Sequence, residues 1–125
     1  MTVSVLVVDD SPMARKMLIR AIPPEWDIRI EQAGNGDEAL EAYRRGQVDV
    51  MFLDLTMPEM DGFQVLETLR REDLNCLVIV VSADIQEKAQ ERVKGLGAIA
   101  FIKKPVDARK IEAVLREYGI FVKES

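Results

Sequence analysis

Short apolar runs rich in β-branched residues alternate five times with segments whose apolar residues recur at helical spacing, and that alternation limits the possible folds severely. The first run, Val3 to Val8, precedes Ala14, Met17, Leu18, Ala21 and Ile22, which share one helical face. The pattern continues as Ile28 to Ala33 with Asp37 to Arg45, and Val48 to Leu53 with Phe63 to Glu72. Cys76 to Val81 with Asp84 to Lys94, and Ala98 to Ile102 with Asp107 to Glu117, complete it. Strands alternating with helices predict βα units wound around a parallel sheet. The third and fourth runs are apolar almost throughout, as expected of strands covered by helices on both faces. The fold class is therefore α/β: five βα units, doubly wound.

Local signals agree. Ser11 followed by Pro12 predicts a helix start, because the hydroxyl accepts a free amide and the proline needs none. Pro23-Pro24 predicts the end of that helix. Gly34-Asn35-Gly36 and Gly95-Leu96-Gly97 punctuate connections, the second closing a helix through a left-handed glycine. There is no linker, low-complexity tract or repeat.

With 125 residues and 48% hydrophobic content, the chain suits one globular domain over residues 1–125, with a short C-terminal tail at about 118–125. Its net charge of -5, with basic residues interspersed among acids, argues against a nucleic-acid surface. The apolar run Val5 to Val8 lacks a basic flank and stops at two acids, which fits neither a signal peptide nor a membrane span. A lone cysteine, Cys76, allows no intrachain disulfide. A soluble cytoplasmic protein is the expectation.

Four of the runs lead into residues that carry chemistry: Asp9-Asp10, Asp54, Ser82 and Lys104-Pro105. Loops at the carboxyl ends of parallel strands converge on one crevice, so these residues are expected to meet there. Three carboxylates in a small volume repel one another. A hard divalent cation relieves the repulsion, and Mg²⁺ suits a site with few carboxylates that keeps waters and takes phosphate oxygens. A carboxylate also serves as a nucleophile toward phosphorus, and Asp54 is the candidate. Ser82 is placed to donate to a phosphoryl oxygen, and Lys104 to supply a positive charge. Each has a duller reading alone: a solvated turn for Asp9-Asp10, a cap on a helix beginning near Asp84 for Ser82, a solvated lysine for Lys103 or Lys104. Joint placement favours the shared site.

Asp9-Asp10-Ser11, the run from Val48 to Gly62 containing Thr56-Met57-Pro58-Glu59-Met60-Asp61-Gly62, Val80-Val81-Ser82-Ala83 and Phe101-Ile102-Lys103-Lys104-Pro105 together resemble the receiver domain of bacterial two-component response regulators. The likeness covers nearly the whole chain and is to a single-domain, CheY-like form. It implies a flavodoxin-like sheet in strand order 2-1-3-4-5 and Mg²⁺-dependent transfer of a phosphoryl group to Asp54 from a histidine kinase or phosphotransfer protein. It further implies Asp10 and Asp54 as direct metal ligands, the Thr56 backbone carbonyl as a third, and Asp9 acting through water. Lys104 would contact the phosphoryl group, with a cis bond to Pro105 aiming the lysine into the site. Ser82 and Phe101 would form the switch that reshapes the fourth helix, fifth strand and fifth helix for a downstream protein target. Phe101 lacks the hydroxyl of a tyrosine, so packing alone would set its rotamer. Thr56 and Asp84 would flank the path of attacking water and modulate hydrolysis. Such a protein catalyses only its own phosphorylation and dephosphorylation; it enters no membrane, contacts no nucleic acid directly, and is a monomer or weak dimer. A partner phosphatase, the cognate kinase and the pathway, chemotaxis or another, stay open.

Rival functions fit less well. A flavin-nucleotide binder of the same topology needs a phosphate-welcoming first loop, which Asp9-Asp10 would repel. A metal-dependent aspartyl phosphatase wants a second aspartate where Thr56 stands. No P-loop motif occurs, and the absence of histidine removes the usual general base. The alternative is a receiver-like scaffold acting by protein contacts without phosphorylation. Elsewhere, Cys76 is expected to pack as a small apolar residue, Trp26 to cover the loop before the second strand, the methionines to fill core gaps, and Tyr118 to Val122 to pack on the domain.

Overall fold

The computed structural model describes residues 2–46, 48–83 and 86–121. The elements are β1 (Val3–Val8), α1 (Pro12–Ala21), β2 (Ile28–Ala33), α2 (Gly36–Arg44), β3 (Val50–Asp54), α3 (Gly62–Arg71), β4 (Leu77–Ser82), α4 (Glu87–Gly95), β5 (Ala100–Lys103) and α5 (Ala108–Glu117). The strands form one parallel sheet in the order β2-β1-β3-β4-β5. Val5 pairs with Val50, Val50 with Leu77, and Ser82 with Lys103, which brings the strand ends into line.

The period of two along the strands divides the core into layers. Leu6, Val8, Met51, Leu53, Val78 and Val80 face a cluster completed by α2, α3 and α4 through residues such as Leu40, Leu66 and Val93. Val5, Val7, Phe52, Ile79 and Val81 face the other, closed by Leu18 of α1 and by Ile111 and Leu115 of α5. Helices start where short polar side chains satisfy free amides. Ser11, Asn35, Asp61 and Asp107 each accept a backbone N–H, and Asp61 with Gln64 completes a reciprocal capping box. Gly97 closes α4 with φ at +106°.

Several element bounds differ from the sequence reading. The third strand begins at Val50, not Val48, and extends through Asp54; the fourth is displaced one residue, to Leu77–Ser82; the fifth starts at Ala100, not Ala98. Apolar residues mark burial, not the hydrogen-bond ladder: Cys76 and Ala98 are buried yet lie before their strands. The fourth helix begins at Glu87, with Gln86 at its cap position, while Asp84 lies outside the described residues.

The expectation that the methionines fill core gaps is corrected for two of them. Met51 and Met57 are buried, but Met13 and Met17 are 65% and 48% exposed, because the buried residues of α1 are Leu18 and Ala21. Trp26 is buried ahead of β2 and lies 5.9 Å from the Phe121 ring. The expectation that Tyr118 to Val122 packs on the domain holds only in part: Ile120 and Phe121 pack on the α1/α5 core, Tyr118 at the end of α5 is exposed, and Val122 lies outside the described residues.

Candidate functional site

Asp54 is the last residue of β3, and Asp9 follows the last residue of β1, its immediate neighbour in the sheet. A ligand atom from each of Asp9, Asp10 and Asp54 lies within 4.8 Å of the others. Asp9 and Asp54 are buried and Asp10 is exposed. Three oxygen donors this close, one open to solvent, fit a hard divalent cation.

The Asp9 carboxylate is held in place. Its Oδ1 accepts the Ser11 N–H at 2.9 Å, and its Oδ2 accepts from Lys104 Nζ at 2.8 Å. Lys104 Nζ is also 3.4 Å from Asp54 Oδ1, so one ammonium bridges two buried carboxylates. The lysine is fixed by its backbone, whose N–H donates to the Ser82 carbonyl at 2.9 Å. The Lys104–Pro105 bond is cis.

Burial pushes the Asp54 carboxyl above the ordinary carboxylate range, and the charge of Asp9 pushes the same way. Lys104 and the Thr56 backbone N–H oppose that shift without cancelling it. For Lys104 itself, burial disfavours the ammonium, but the hydrogen bond to Asp9 and the attraction of both carboxylates outweigh it and raise the pKa.

Other expected residues fall around this centre. Thr56 is exposed two residues past β3, and Ser82 is fully buried at the end of β4. Phe101 is half-buried on β5 and packs against the α2–α4 core, not the α1/α5 side. Asp84, expected near the path of water, lies outside the described residues.

Two residues that the sequence reading did not assign a role also shape the site. Arg15 donates to the backbone carbonyl of Asp9 and to Gln32, tying the first acidic loop to β2; its position four residues after the Ser11 cap was the available signal. Gly62 opens α3 directly beneath β3. A Cβ there would lie 2.4 Å from the Asp54 carbonyl oxygen, so only glycine allows the helix to begin this close.

The sheet order and this carboxylate–lysine centre define a receiver-type site. The chain belongs to the response regulator receiver domain family, whose profile matches residues 5–116, and so to two-component signalling. The chemotaxis protein CheY of Thermotoga maritima is 36% identical over 88% of this chain and 92% of its own length. The probable transcriptional regulatory protein TcrX of Mycobacterium tuberculosis is 35% identical over 98% of this chain, which spans only 54% of TcrX. This chain likewise spans 35% of a protein-glutamate methylesterase/protein-glutamine glutaminase from Halalkalibacterium halodurans. Among solved structures, a chain of the CheX–CheY–BeF3–Mg²⁺ complex from Borrelia burgdorferi superposes with a TM-score of 0.83 at 34% identity, covering 97% of this chain and 90% of that one. The NarL signal receiver domain of M. tuberculosis gives 0.83 at 31%, covering 94% and 97%.

Proposed function

We propose that this chain is a cytoplasmic phosphorylation switch in which Asp54 accepts a phosphoryl group from a phosphohistidine on a kinase or phosphotransfer protein. The observation that carries the reading is Lys104 bridging Asp9 and Asp54 beside exposed Asp10. Asp10, Asp54 and the Thr56 carbonyl would hold Mg²⁺, with Asp9 acting through water, and the bound ion would supply positive charge to offset that on the transferring phosphoryl oxygens.

An Asp54 carboxylate oxygen forms a bond to phosphorus, the phosphorus–nitrogen bond of the donor breaks, and its electron pair stays on the departing imidazole. Lys104, already 3.4 Å from Asp54, follows the charge onto a phosphoryl oxygen. The Ser82 hydroxyl, buried at the end of the adjacent strand, donates to another. Drawing Ser82 forward moves the loop after β4 and lets Phe101 turn inward, which changes the α4–β5–α5 face offered to a protein target. Thr56 and Asp84 modulate the rate at which water hydrolyses the acyl phosphate. The chain turns over no external substrate apart from its phosphodonor, and a partner phosphatase fits the same scheme.

The test is intact mass after incubation with acetyl phosphate and Mg²⁺, with Asp54→Asn and a metal-free sample as controls. One added phosphoryl group, dependent on both metal and Asp54, is expected. No adduct, together with no beryllofluoride binding, would leave a scaffold that acts by protein contacts alone.

A further inference from the structure

Beside the carboxylate cluster, where α1 approaches the segment after β5, lies a cleft of about 350 Å³. Its walls are apolar, formed by Met17 and Leu18 of α1, Val81 of β4, and Pro105 and Val106. Its charged lining residues, Asp9 and Lys104, are the pair that stands next to Asp54. The cleft therefore borders the phosphoacceptor site through Asp9 and Lys104: apolar on its walls, with an ammonium 3.4 Å from the Asp54 carboxylate. Leu18 and Val81 are buried, while Met17, flexible and unbranched, remains 48% exposed. A phosphate ion alone would leave the apolar walls unused. A ligand that uses both parts carries a phosphoryl group toward Lys104 and a short aliphatic chain into the cleft.

We infer that this cleft holds the acyl chain of a small acyl phosphate, so that among such small-molecule donors the protein takes phosphoryl groups faster from those whose aliphatic tail reaches into it. The inference rests on Asp54 being the phosphoacceptor. In the step, an Asp54 oxygen bonds to phosphorus while the bond from phosphorus to the bridging oxygen breaks. The electron pair leaves on the carboxylate of the released fatty acid, and no proton or redox equivalent is exchanged. Straight-chain acyl groups from acetyl to butyryl are near-equal leaving groups, so differences in rate report on the cleft. A fully buried methylene is worth about fourfold in affinity.

The test compares acetyl, propionyl and butyryl phosphate, with Mg²⁺, by the rate at which intact mass increases. For the wild type the rate is expected to rise about tenfold from acetyl to butyryl, partial burial taking it below the full value for two methylenes. Ala14→Leu, which places bulk in the cleft lining, is expected to level the series. A second readout is independent of transfer: 2-oxopentylphosphonate, the butyryl phosphate analogue with a carbon in the bridging position, is titrated into protein carrying ¹³C-methyl methionine. The Met17 methyl signal is expected to shift, while that of Met13, exposed but outside the cleft lining, stays in place. Equal rates from acetyl and butyryl phosphate with an unmoved Met17 signal would overturn the inference while leaving Asp54 phosphorylation intact. If no donor modifies Asp54, the phosphoacceptor reading fails first and this inference falls with it.

Discussion

At Asp54, the burial that places the proposed phosphoacceptor among fixed partners also opposes its charge. A carboxyl raised in the folded state contributes stability that is fully present below its ordinary pKa and is lost as pH rises through the folded value. Ionised Asp54 is therefore a cost at neutral pH, and Asp54→Asn is expected to raise unfolding stability by about 1 kcal/mol at pH 7. Urea titrations across pH should show that gain shrinking as pH falls through the raised Asp54 value, with no further change once the medium is below the ordinary carboxylate range. Lys104 has the opposite sign: its pKa is raised by its partners, so its stabilisation holds through neutrality and is lost only as pH climbs through the elevated lysine range. Lys104→Met leaves two carboxylates without their ammonium. It is expected to cost about 2 kcal/mol, less than for a fully buried pair because the lysine side chain is 28% exposed. In an Asp54→Asn background the same change should cost measurably less, since one fewer charge is orphaned.

Among the elements, the first turn of α3 is held most tightly against the site. Alanine is the better helix former by about 1 kcal/mol, yet at position 62 its Cβ would meet the Asp54 carbonyl oxygen at 2.4 Å. Overpacking against backbone outweighs propensity here, and Gly62→Ala is expected to destabilise by about 2 kcal/mol in denaturant melts. At α1, Ser11 accepts the Ala14 N–H at 3.1 Å, and Ser11→Ala is expected to cost about 1 kcal/mol by the same measurement. The start of α1 was legible in the sequence because Ser11 and Pro12 each have a local physical job there. Strand ends were less so: Cys76 and Ala98 are apolar because the interior surrounds them, and the ladder begins only later, at Leu77 and Ala100. The outer face of α1 misled for a related reason. Its apolar positions outnumber those that the core takes, so Met13 and Met17 remain outside.

For the whole molecule, the meeting of Asp9, Asp54 and Lys104 was legible because parallel strands deliver their carboxyl ends to one edge. What the sequence did not carry was the detailed pairing, in which Lys104 sits closer to Asp9 than to Asp54 and Arg15 anchors the Asp9 carbonyl. Those contacts depend on rotamers and on loop paths that no local pattern encodes. A cation binding the folded cluster but not the unfolded chain stabilises by mass action, about 1.4 kcal/mol at ten times its Kd. Mg²⁺ is thus expected to raise Tm by a few degrees, chelation to reverse the gain, and Asp10→Asn to abolish most of it in thermal melts. The pairing of Lys104 with Asp9 spans 95 residues of chain. During synthesis the three aspartates leave the ribosome well before the lysine that offsets them, so a nascent chain carries a self-repelling acidic edge until its fifth strand arrives. The assembled edge of two carboxylates and one ammonium consequently waits on residue 104, however early its first aspartate is made.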